Sequence, residues 1–108
     1  MNKVCYISKN ILKRTKGYRW GRKSKIKAAK IASKKAGQFA FNDRKVKKRT
    51  NRGLWLIRIN AAVREFDLCY SKFMDALKKK NIGLNRKILS EIARFNPEIF
   101  KQVVESVK

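Results

Sequence analysis

Histidine is absent from this 108-residue chain, and acidic residues are scarce, seven against 30 lysines and arginines. The first absence excludes Ser-His and Cys-His couples and any histidine-based metal site. Cysteine occurs only as Cys5 and Cys69. No CxxC pair exists, and two thiols cannot close a zinc site alone, so no metal is expected. A basic chain without a secretory start predicts two reduced, unpaired thiols, with Cys69 buried. Nothing approaches the roughly 20 apolar residues of a membrane span, and the N-terminus lacks the pattern of a signal peptide. No membrane partner is therefore expected. Proline occurs once, at Pro97, which allows long helices through most of the chain.

What is present is positive charge, and it is unevenly placed. Residues 1–52 hold 19 lysines and arginines against one acid, Asp43, while the remainder holds 11 against six. Self-repulsion on that scale opposes a compact state unless a partner supplies negative charge. A solvated helix face normally mixes signs. Nineteen cations against one acid is instead the footprint of phosphate neutralisation.

Periodicity divides the chain in the same way. Residues 1–22 read as irregular or partly helical, with a short helix around Ile11 to Arg14 that Gly17 stops. Residues 16–22 follow as a basic linker carrying Tyr18 and Trp20. From a Ser24 N-cap to about Phe66 there is no strong breaker, so one long helix is expected, with Gly37 its weakest point. Lys23, Lys27, Lys30 and Lys34 share one stripe of it, which resumes after Phe41 with Lys45, Lys48 and Arg52. The opposite side carries small residues, too thin a face to bury much apolar area.

Near Leu54 the pattern changes. Trp55, Ile59, Ala62 and Phe66 repeat at core-facing helical spacing. Ser71 is placed to cap a helix carrying Phe73, Met74 and Leu77, closed by Lys78 to Asn81. Asn85 is placed to cap the next, with Ile88, Leu89 and Ile92 inside. Asn96-Pro97 starts a last helix whose inner face is Phe100, Val103, Val104 and Val107. The expected fold is all-α: a long basic helical N-terminal extension over 1–53, then a small bundle of short helices over 54–108, with the long helix continuing to about 66.

The candidate RNA-binding residues are Lys13, Arg14, Lys16, Tyr18, Arg19, Trp20, Arg22, Lys23, Lys27, Lys30, Lys34, Arg44, Lys45, Lys48, Arg49, Arg52, Arg58, Arg86 and Lys87. Tyr18, Trp20, Phe39 and Phe41 stand among the cations as base-stacking or ribose-packing rings do, with ordinary helix packing as the other reading. Catalysis has little to stand on. Glu65 and Asp67 diverge on a helix, and Asp75, Glu91, Glu98 and Glu105 fall on solvent-side positions or near helix starts. Glu65 reads as a surface ion-pair partner of Arg64 or Arg58. No glycine-rich phosphate loop is present. Neither catalytic residues nor a small-molecule substrate nor a cofactor is expected. A competing reading takes the helices around 71–94 as a DNA-binding helix-turn-helix, or the chain as a nucleoid-type basic protein.

Ordered blocks along the chain resemble bacterial-type large-subunit ribosomal protein L-twenty. Leu54-Trp55-Leu56-Ile57-Arg58-Ile59-Asn60-Ala61-Ala62-Val63-Arg64 is similar to that family's LW-x-x-RINAA-x-R signature. Ile11-Leu12-Lys13 with Lys16-Gly17-Tyr18 resembles its entry segment, and Lys35 to Ala40 with Asp43-Arg44 its KAGQ-x-A-x-x-DR segment. Tyr70-Ser71-Lys72-Phe73, then Arg86-Lys87-Ile88-Leu89, resemble its YSKF and RK-x-L blocks. The resemblance implies a structural constituent of the large ribosomal subunit whose extension threads into folded large-subunit rRNA and supports early subunit assembly. It also implies neighbouring large-subunit ribosomal proteins as partners. The match starts so near Met1 that no transit peptide is expected, which places the protein in ribosomes of a bacterial cytoplasm or of an organelle, mitochondrion or plastid, that encodes it.

Overall fold

A computed structural model describes residues 3–108. The expectation for residues 1 and 2 lies outside them. The described residues form five α-helices: α1 (Lys3–Arg14), α2 (Ile26–Arg64), α3 (Tyr70–Lys79), α4 (Arg86–Phe95) and α5 (Pro97–Val107), with a short 3-10 helix at Trp20–Lys23. The all-α architecture is as expected, with a 39-residue helix followed by three short ones. The chain divides into two compact units, Met1–Val46 and Lys47–Lys108.

In the first unit α1 begins at Lys3, well before the expected start at Ile11. It ends at Arg14, as expected, and the turn that follows carries Gly17, whose φ of +87° is open to glycine at little cost. The fully buried Thr15 closes the helix: its hydroxyl donates to the carbonyls of Ile11 and Leu12 at 3.2 and 3.3 Å. The Tyr18 amide then donates to the Thr15 carbonyl at 3.0 Å. Ser24 does not cap α2. Its amide is taken by the Gly21 carbonyl of the 3-10 turn, and Lys25 supplies the first accepting carbonyl of α2, to Ala29 at 2.8 Å. Gly37 is accommodated without interrupting the helix.

In the second unit α2 ends at Arg64 rather than near Phe66. Asp67 turns left-handed at φ 60°, and the Leu68 amide donates back to the Val63 carbonyl at 3.2 Å, a Schellman closure. The same device ends α3: Asn81 has φ 55° and the Ile82 amide donates to the Leu77 carbonyl at 3.0 Å. Asn85 caps α4 as expected, its side chain accepting from the Ile88 amide at 2.9 Å. Asn96 precedes Pro97 at the start of α5 without a side-chain cap bond. Ser71 is no cap either, because α3 already begins at Tyr70 with Cys69 before it.

One core joins the four helices of this unit. It consists of Ile59 and Val63 of α2, Phe73 and Leu77 of α3, Leu89 of α4, and Phe100, Val104 and Val107 of α5. The Phe73 and Phe100 rings meet at 5.8 Å between centroids, tilted by 51°, a favourable aromatic arrangement. Three expectations shift. Trp55 is half-buried and stands outside the core, because the buried positions run Ile59 to Val63, one turn further on. Ile88 is 42% exposed, while its neighbour Ser90 is buried, its hydroxyl satisfied by the Lys87 carbonyl at 2.8 Å. Cys69 is half-buried rather than buried, and both thiols are unpaired.

Candidate nucleic-acid interface

Between Lys13 and Val46 every candidate cation is solvent-exposed: Lys13, Arg14, Lys16, Arg19, Arg22, Lys23, Lys27, Lys30, Lys34, Arg44 and Lys45. The two ion pairs found among the described residues lie elsewhere, Lys79 with Asp75 at 2.9 Å in α3 and Lys101 with Glu105 at 3.9 Å in α5. Among the described residues the exposed cations of the first unit thus form no ion pair, and a polyanion would have none to break in reaching them.

Helical register organises them. Lys27, Lys30 and Lys34 follow one stripe of α2, and Phe41 stands on the same stripe seven residues after Lys34 and four before Lys45. The apparent gap in the basic stripe is therefore filled by a ring. That ring is already a cation partner: the Lys45 ammonium lies 4.8 Å from its centroid and the Arg44 guanidinium 5.9 Å. The Arg19 guanidinium likewise covers Trp20 at 4.6 Å. Trp20 is 77% exposed, so a second planar group has room on it.

Tyr18 is half-buried, held by the turn after Gly17. It lines a cleft of about 660 Å³ with Arg22 and the α2 residues Ala28, Ala32, Lys35 and Phe39.

In the second unit Lys48, Arg49 and Arg52 of α2 and Lys87 of α4 are exposed. Two other candidates are less free. Arg58 is half-buried and borders a cleft with Glu65 and Arg94. Arg86 is half-buried, and its Nε donates to the Tyr70 hydroxyl at 2.8 Å. A helix-turn-helix reading would aim Arg86 and Lys87 at base edges; the engagement of Arg86 with Tyr70 counts against it, while Lys87 stays exposed. Glu65 is exposed and pairs with neither Arg58 nor Arg64 among the described residues, so the expected surface ion pair is not formed.

The stripe criterion left out exposed cations that the composition already contained: Lys9, Lys25, Lys35 and Lys47. Lys35 is the consequential omission, because it shares a cleft with Tyr18 and Arg22. The 3-10 turn at Trp20–Lys23, entered with Trp20 left-handed at φ 55°, joins Tyr18 and Arg22 to α2, and no helical spacing records it.

Two side chains of the second unit are electrostatically perturbed. The Ser71 hydroxyl, 3.3 Å from Cys69 Sγ, holds the Cys69 thiol below its ordinary pKa, helped by the Lys72 amide. The Asp75 carboxylate raises the Lys79 ammonium. Among the described residues no group of three or more metal-binding side chains converges, and no helix is long and apolar enough to cross a membrane.

Comparison with known proteins gives this geometry its setting. The family described as "Ribosomal protein L20" matches residues 5–103. The "Large ribosomal subunit protein bL20" of Bradyrhizobium sp. (strain BTAi1) is 52% identical over 100 residues, 93% of this chain and 84% of that protein. Proteins of the same name from Nitrosomonas eutropha and Francisella philomiragia are 50% and 49% identical over 100 residues, covering 93% of this chain and 84% and 85% of their own lengths. With nearly its whole length matched, the chain belongs to the ribosomal protein L20 family.

Proposed function

We propose that this protein is a structural constituent of the large ribosomal subunit that binds large-subunit rRNA and supports early subunit assembly. It belongs to a family of structural ribosomal proteins and works by binding, not by turnover. The observation that carries the reading is the first unit's exposed cations interleaved with rings: Lys27, Lys30, Lys34, Phe41 and Lys45 on one stripe of α2, and Arg19 on Trp20. Phosphates neutralise such a surface, arginines holding them in bidentate geometry and lysines as point charges. Rings in the same stripe suit unpaired bases and ribose faces. The second unit, with its own apolar core, offers fewer free cations and suits a surface position beside rRNA and neighbouring ribosomal proteins.

The test is the salt dependence of binding to large-subunit rRNA. Lys27→Ala and Lys48→Ala are each expected to lower the slope of log affinity against log salt by about one, since each removes one phosphate contact. Circular dichroism is expected to show the helices intact. An unchanged slope for both variants contradicts the basic helix as the RNA contact.

A further inference from the structure

The cleft beside α2 has a shape that phosphate neutralisation does not require. Ala28, Ala32 and Ala36 recur every fourth residue and leave one strip of the helix without bulk. Tyr18, joined to α2 through the 3-10 turn at Trp20–Lys23, lines the cleft together with Phe39, which is 61% exposed. Arg22 and Lys35 add two cations to the lining. The volume, about 660 Å³, lies within the range of small-ligand sites and far below that of a duplex.

We propose that this cleft holds a single unpaired nucleotide of RNA, with its base against the Tyr18 and Phe39 rings and its phosphate on Arg22 and Lys35. The proposal deepens the RNA-binding reading and rests on it. Apolar small residues and two rings provide a surface that a base face covers well, and stacking tolerates any base. The two cations favour an anionic occupant, and the lining contains no acidic residue. A paired base cannot reach such a recess, whereas one extruded from a bulge or loop can. The first unit would then do two things: Lys27, Lys30, Lys34 and Lys45 hold phosphates without regard to pairing, and the cleft recognises a place where the RNA is not paired.

The full chain tests this with two RNA hairpins of equal length and charge. One carries a single bulged 2-aminopurine, and the other carries the same base paired within the stem. Binding is expected to be about tenfold tighter to the bulged hairpin, with quenching of the bulged base as it stacks. Phe39→Ala is expected to remove both the preference and the quenching and to lower the salt slope by no more than about one, the single phosphate contact of the cleft. Phe39→Trp is expected to keep both. Ala32→Leu, which fills the strip between the rings, is expected to act like Phe39→Ala, with helix content checked for both. Equal affinity for the two hairpins, without quenching but with normal salt dependence, overturns the cleft and spares the RNA reading. Absence of salt-dependent binding to either hairpin overturns both. A dimer in the absence of RNA that Phe39→Ala dissolves assigns the cleft to a second copy of the chain and overturns the proposal.

Discussion

Arg86 of α4 donates from Nε to the Tyr70 hydroxyl of α3 at 2.8 Å, a side-chain bond that joins two helices through residues 16 apart in sequence. Tyr70 also takes part in the join to α2, its amide donating to Asn60 Oδ1 at 3.4 Å. The first bond involves a half-buried charged donor, the kind whose loss leaves a polar group without its partner. Tyr70→Phe keeps the ring and removes the acceptor. It is expected to cost about 1–2 kcal/mol in urea unfolding of the full chain. Unchanged stability would show that Arg86 is held by packing alone.

The two asparagine starts of α4 and α5 separate a cap from a look-alike. Asn85 accepts the Ile88 amide, whereas Asn96 makes no side-chain cap bond. Asn85→Ala is expected to lower stability by about 1 kcal/mol. Asn96→Ala is expected to lower it by a few tenths at most, since Pro97 already fixes the start of α5. The comparison is made by thermal unfolding of both variants. Equal losses would contradict it.

These two residues also mark what the sequence makes legible. Helix existence follows from period and breakers, so the long helix, the Gly17 stop, the Asn85 cap and the face of Phe73, Leu77, Phe100 and Val104 are all readable in advance. Left-handed closures at Asp67 and Asn81 are not, because no glycine announces them and only the return bonds from Leu68 and Ile82 define them. Ser24 and Ser71 look like caps by residue type, but a 3-10 turn occupies the first and the second lies already inside α3. Charge was legible by counting. The cleft was not, because Tyr18, Arg22 and Lys35 converge only through the 3-10 turn that precedes α2.

Cys69 gives a pH-dependent prediction. Its thiol is held below the ordinary value first by the Ser71 hydroxyl, which donates to the thiolate. A lowered pKa means a larger thiolate fraction, and faster alkylation, at pH values beneath the ordinary thiol pKa. In a Cys5→Ser background, Ser71→Ala is expected to shift the pH profile of Cys69 alkylation upward and to slow the reaction near pH 7. A profile that does not move would show that the hydroxyl does not stabilise the thiolate.

The core pair Phe73 and Phe100 sets the stability of the second unit, their rings 5.8 Å apart and both almost fully buried. Phe73→Ala is expected to cost about 3–5 kcal/mol, as large-to-small changes of buried rings do. Urea unfolding followed by circular dichroism measures it. A loss below about 1 kcal/mol would mean that the core refills the cavity.

Sedimentation of lysate through a high-salt gradient, with detection of this chain, tests the central claim most directly. The expected result is one copy per large subunit, retained as salt rises, because an extension embedded in folded rRNA would be held by that fold and not by salt-sensitive charge alone. Recovery in the free fractions, or with DNA, would contradict an rRNA-binding constituent of the large subunit.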